Sequence, residues 1–281
     1  MPLPMSPDVG DLGAFLRSRR NRLLPEHSPY PHGTRRVPGL RRQEVAASAG
    51  VSVDYYIRLE QGREPHPSPQ VVDALSRALR LGDDERTFLH RLAGHHATVR
   101  RADTPPSAEL PSPLIDMVQS WQMPAFIVDP LLNIVVTSAA TGEMFRGFTH
   151  TGNFAEMLFL DARARTFFAG WDGCARWAVG TMRLLSTYYP SSADREAFIA
   201  SLRTGSADFS AMWDGFDIAV SAGHTAVLHH DVRGPMTVDA LGFEVPSHPG
   251  YRLVICHIRT EAPDAAAVAH PAATEVADLT R

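Results

Sequence analysis

The chain of 281 residues carries 27 basic and 31 acidic side chains, a formal net charge of −4, and no run of 18 apolar residues, which excludes a membrane-spanning helix. The charge is uneven: residues 1–104 hold 16 arginines against 12 carboxylates, and residues 105–281 hold 11 against 19. The length fits two domains, each able to bury a core, and the split gives them different partners.

The first 11 residues contain three prolines and no periodic pattern, so they predict a loose tail. They also lack the basic-then-apolar order of a secretory signal. Leu12, Phe15, Leu16, Arg19 and Leu23 mark one stripe of a helix over about 12–23. Prolines and glycines rule out a helix over 24–39. That loop reads either as a solvated basic segment or as a backbone or minor-groove contact through Arg35 and Arg36.

Helical spacing resumes at Leu40, Val45, Ala46 and Ala49, and Gly50 stops the helix because it can take a positive φ at little cost. Ser52 then caps a second helix, in which Tyr56 and Leu59 point inward and Tyr55, Arg58 and Gln61 outward. Two short helices joined by a tight glycine-containing turn form a helix-turn-helix unit, whose second helix enters the DNA major groove. Its candidate DNA-contacting residues are Ser52, Val53, Asp54, Tyr55 and Arg58, with Gln43 from the preceding helix. Between Leu12 and Arg63 arginines outnumber carboxylates 10 to 4, the local positive surface that phosphate contacts require. All the basic residues are arginine, which offers forked contacts to phosphate and guanine.

Leu40 to Gly62 resembles, without a gap, the Cro/λ-repressor-type (xenobiotic-response-element) family: Leu-Arg-Arg-Gln-Glu-Val-Ala, then Gly-Val-Ser, then Arg-Leu-Glu-Gln-Gly. The continuation Arg63-Glu64-Pro65-His66-Pro67-Ser68-Pro69 is similar to an actinobacterial branch whose C-terminal part is an MmyB-like, PAS-like ligand domain. The resemblance implies a cytoplasmic, sequence-specific transcription regulator that binds a double-stranded operator as a homodimer. It also implies a small apolar ligand, such as a fatty acid, in the second domain. Arg42 stands where the family commonly has a glutamine that touches DNA, and a phosphate or guanine contact is expected of it. The branch has His or Arg near the position of Phe216, and a His-Pro…Gly pattern where this chain has His230-Asp231-Val232-Arg233-Gly234, so a carboxylate anchor is not assured.

Ser68 with Pro69 starts a fourth helix through Val72, Leu75 and Leu79, and Asp83 is expected to cap a fifth through Phe88, Leu89 and Leu92. Five helices thus account for a DNA-binding domain at 12–94, followed by a polar linker at 95–110. From 111 to 260 the pattern is α+β. Ser112-Pro113 starts a helix, 125–128 and 133–137 form a hairpin, 153–213 is helical, and strands follow at 225–229, 236–241 and 251–258. This predicts a PAS-like antiparallel sheet of about five strands with helices over one face. Residues 261–281 are alanine-rich and aperiodic, a disordered tail.

Little in the second domain points to catalysis. Cys174 and Cys256 match no metal or redox spacing and read as buried, reduced thiols. His224, His229, His230 and His257 sit in or beside predicted strands, but His229 and His230 point to opposite faces of a strand and cannot chelate together. No hydrolase, nucleotide or dinucleotide fingerprint occurs, so neither an enzyme nor a metal or cofactor is expected. The aromatic content reads either as core or as the wall of an apolar cavity, with Phe126, Met144, Trp171, Trp213, Phe216 and Tyr251 the candidate ligand contacts. The alternative is a second domain that only dimerises or binds a protein partner.

Overall fold

The computed structural model describes residues 9–23, 39–95, 109–188, 192–216 and 223–259. Arg35, Arg36, most of the expected linker and the expected tail lie outside the described residues.

Helix α1 (Val9–Arg22) is followed by α2 (Arg42–Ala49), α3 (Val53–Glu60), α4 (Pro69–Ala78) and α5 (Asp83–Leu92). Phe15, Leu16, Tyr56, Leu59, Val72, Leu75, Phe88 and Leu89 are all at 0–1% exposure and form one core. The boundaries follow from local chemistry. Gly50 ends α2 at φ 68°, and the Ser52 and Ser68 hydroxyls accept from the N–H groups of Tyr55 and Val71. Asp83 is already helical, so Gly82 holds the cap position of α5; its N–H donates to the Glu85 carboxylate at 3.2 Å. Gly13 has a packing role: a Cβ there would sit 2.4 Å from the Glu60 carbonyl oxygen. Only glycine lets α1 lie this close to the end of α3.

The second part begins with α6 (Ser112–Ser120), the hairpin β1 (Ala125–Val128) and β2 (Ile134–Thr137), and α7 (Ala139–Met144). Four helices follow: α8 (Phe154–Phe159), α9 (Ala164–Phe167), the long α10 (Trp171–Ser186) and α11 (Ala193–Gly205). Then come α12 (Ala207–Asp214), β3 (Gly223–His230), β4 (Gly234–Glu244) and β5 (Arg252–Ile258). The strands pair antiparallel in the order β2-β1-β5-β4-β3. The Asp129 carboxylate shapes the first hairpin, accepting from the backbone of Leu131 and Asn133 and from Asn133 Nδ2.

Helices do not cover one face only. On one side, Phe126, Val238 and Val254 pack under α8 and α10 in the main core. On the other, α6 lies across the hairpin and buries Val118 against Ala125, Ile127 and Val136. Every residue of β1 is buried, which explains why its sequence shows an apolar run instead of alternation. Further along the second face Leu241 and Phe243 stay 43% and 49% exposed.

Candidate functional site

The α3 surface is organised by Glu60, whose side chain is fully buried. Arg20 Nε of α1 donates to Glu60 Oε1 at 2.6 Å, and Arg42 Nε of α2 donates to Oε2 at 2.7 Å. Burial alone would raise the Glu60 carboxyl, but these two guanidinium groups outweigh it and hold the group below its ordinary value. Three helices therefore converge on one carboxylate, and α3 is fixed in register against α1 and α2.

Outside this clamp the first turn of α3 is open. Val53 is 41% exposed, and Ser52, Asp54, Arg58 and Gln43 are exposed with it. Tyr55 is half-buried, with the Arg58 guanidinium 5.6 Å from its ring centre. Arg42 is 44% exposed while one edge holds Glu60. The structure thus leaves Gln43, Ser52, Val53, Asp54 and Arg58 exposed and Tyr55 half-buried, while Arg42 is tied to Glu60 at the other end of α3. The chemistry of this surface is mixed: an apolar contact at Val53, donors at Arg42, Arg58 and Gln43, and an acceptor at Asp54.

The opposite side of α1 meets the second part of the chain. Ser18 Oγ and Arg22 donate to the Gly215 carbonyl at 3.0 and 2.5 Å. Arg19 donates to the Phe216 carbonyl and pairs with Glu85 at 3.1 Å. The Phe216 ring, only 8% exposed, packs edge-on against Phe15 at 6.2 Å and belongs to the first core, not to the second. Phe216 takes φ 52°, an uncommon conformation for an aromatic residue. Arg183 of α10 lies 4.0 Å over Trp213 and 3.9 Å over Phe216. A second bridge forms at Glu244, which accepts from Arg91 of α5 at 3.1 Å and from the Tyr188 hydroxyl at 2.8 Å.

The apolar cavity lies between the sheet and α7, α8 and α10. It is lined by Phe126 and Met144 together with Phe145, Phe154, Phe168, Cys174, Trp177, His224, Leu228 and Cys256, among others. The other four expected ligand residues lie elsewhere. Trp171 is buried, but its indole N–H donates to the Leu158 carbonyl at 2.9 Å and its ring sits under Arg165. Trp213 stacks on Phe209 beneath Arg183, Phe216 serves the inter-domain contact, and Tyr251 packs on the α6 side of the sheet. Among the lining residues not expected as ligand contacts, Cys174 and Trp177 had a usable signal. Cys174, Trp177, Ala178 and Thr181 recur at helical spacing on α10.

Inside the cavity the Cys174 Sγ and His224 Nε2 atoms are 3.4 Å apart. Burial pushes both thiols, Cys174 and Cys256, up to about 12, and lowers His224 toward its neutral form. The site is therefore uncharged at neutral pH. The cavity measures about 40 Å³, well below the roughly 300–1,000 Å³ of ordinary ligand sites. Met144 and Cys256 also line a neighbouring cleft of about 250 Å³ that opens past His230, Arg233 and His257. An occupant larger than a few heavy atoms must displace the wall between the two. Methionine, with three rotatable bonds, is suited to that movement.

Among the described residues no cluster of three or more histidine, cysteine or carboxylate groups could hold a metal ion, and no helix is long and apolar enough to cross a membrane. No curated protein matches the chain. Residues 11–89 match a helix-turn-helix domain family. Residues 110–270, more than half of the chain, match the ligand-binding domain of MmyB-like transcription regulators. The chain therefore belongs to that family: it is a DNA-binding helix-turn-helix regulator with a C-terminal MmyB-like ligand-binding domain.

Proposed function

We propose that the chain is a sequence-specific transcription regulator, working as a cytoplasmic homodimer, whose PAS-like second domain holds a small apolar molecule of fatty-acid-like shape. The observation that carries this reading is the placement of one helix, α1. Its Gly13 and Arg20 side fixes the recognition helix, while Ser18, Arg19 and Arg22 hold the end of α12. A change in how α10 and α12 pack on filling the cavity would reach α3 through that single element. Arg42, Gln43, Ser52, Val53, Asp54, Tyr55 and Arg58 would face the operator, and Arg35 and Arg36 of the basic loop would add contacts to its backbone or minor groove. Within the ligand domain Phe126 and Met144 would touch the ligand.

Two observations favour a second reading, in which the ligand domain only dimerises or binds a protein partner: the cavity is small, and Leu241 and Phe243 are exposed on the sheet. Native mass spectrometry of the purified full chain, combined with thermal unfolding in the presence of medium-chain lipids, separates the two. The sensor reading expects a non-covalent adduct of a few hundred daltons or a rise in Tm of several degrees, since a ligand at 100-fold its Kd adds about 2.7 kcal/mol. A bare mass with no thermal shift from any lipid supports the second reading.

A further inference from the structure

Beside the closed cavity, the cleft at the β3–β4 turn holds a charged group that no described part of the chain engages. The turn is tight: His230 pairs with Gly234, Asp231, Val232 and Arg233 connect the strands, and Gly234 closes the loop at φ 71°. His230 fixes it from within. Its Nδ1 accepts from the backbone N–H groups of Val232 and Arg233 at 3.1 and 3.2 Å, and its Nε2 donates to the Glu143 carbonyl at 3.1 Å. Both ring nitrogens are therefore committed, and the backbone of Arg233 is held at the edge of the cleft.

The Arg233 side chain is not committed. It is exposed and lines the cleft, and among the described residues its guanidinium has no ion-pair or hydrogen-bond partner. The carboxylates on the same turn and on α7 are already taken: Asp231 pairs with Arg163, and Glu143 with Arg146. Among the described residues no carboxylate lines the cleft. Gln122, another polar lining residue, is uncharged. His257 borders the cleft as well, but Cys256 and Ile258 on either side of it belong to the main core, so its imidazole points to the opposite face of the sheet.

The wall behind Arg233 is apolar. Met144 and Met236 are 4% and 8% exposed, and Met123 and Ile258 extend the surface. The volume of about 250 Å³ stands just under the roughly 300 Å³ at which ordinary ligand sites begin. That space takes a body of ring size without any movement of the wall toward the cavity. Thioethers adapt to the shape of such a body and make favourable contacts with aromatic rings.

We infer that this cleft is a binding site for a small organic monocarboxylate with a compact apolar body, its carboxylate held by the Arg233 fork and its body by Met123, Met144 and Met236. A guanidinium matches a carboxylate in two parallel hydrogen bonds. A single cation above an apolar floor suits one negative charge, whereas a phosphate monoester carries about two. The site is separate from the closed cavity and does not rest on the reading of that cavity as a lipid sensor.

The test is an NMR titration of the full chain, labelled with carbon-13 at the methionine methyl groups, with phenylpropanoate and its neutral primary amide. Methionine-to-leucine variants assign the signals. Saturable shifts from the acid are expected, largest at Met123, Met144 and Met236. The amide should bind about tenfold more weakly, the value of one charge-assisted hydrogen bond that is partly exposed to water. Arg233→Ala should weaken the acid by about the same factor and leave the amide unchanged, and added salt should erode the advantage of the acid. Equal affinity of acid and amide overturns the inference, and so does undiminished acid binding by Arg233→Ala. Absence of shifts at the three methionines overturns it too. None of these results bears on the closed cavity, which the mass spectrometry with lipids tests by itself.

Discussion

Glu60→Ala is expected to destabilise the helix-turn-helix domain by roughly 3–5 kcal/mol, the usual cost of removing one partner from a buried ion pair. The substitution strands Arg20, whose side chain is only 9% exposed, and frees Arg42 from α3. Urea unfolding followed by circular dichroism measures the loss. Replacing both Arg20 and Glu60 with apolar residues of similar volume should recover much of it, because no charge is then left buried. An acid limb follows from the same site. The folded Glu60 carboxyl is held low, so its contribution is fully present above the unfolded value near 4.3 and is lost as pH falls through the folded value. Glu60→Gln should flatten that limb.

Phe216→Ala should separate the two parts of the chain. The ring is 8% exposed and sits against Phe15, and truncating a core phenylalanine costs roughly 3–5 kcal/mol. The expectation here is the lower end of that range, because Phe216 stands at the rim of the core; alanine keeps the strain of the positive φ, which only glycine would relieve. In thermal unfolding, the wild type should melt as one unit and the variant should show an earlier transition for residues 9–95. A single unchanged transition would mean that the contact with α12 carries no coupling.

The DNA-binding half was legible in the sequence because its signals are local. Ser52 and Ser68 cap helices, Gly50 takes the left-handed turn, and the inward pair Tyr56 and Leu59 is set by a three-residue spacing. The order of strands and helices in the second part could be read for the same reason. What sequence alone did not reveal is which partner each aromatic meets. Phe216 follows the α12 stripe as naturally as any core residue, yet its contact lies 201 positions away at Phe15. Trp171 and Trp177 share α10, but only the first has a backbone carbonyl within reach of its N–H. The α6 cover on the second face of the sheet was missed because β1 is an unbroken apolar run without alternation, and such a run does not say how many faces are covered.

The central claim is that the exposed surface of α2 and α3 reads DNA, and it is tested most directly by titrating an operator duplex, selected by the wild-type chain from a random pool, against salt. Arg58→Ala and Arg42→Ala should each cost roughly 1–3 kcal/mol of specific affinity where they meet a base, or lower the salt slope by about 1 where they meet a phosphate. Thermal unfolding of each variant, run alongside, distinguishes lost contact from lost fold. Unchanged affinity and unchanged salt dependence in both variants would contradict the assignment of this surface.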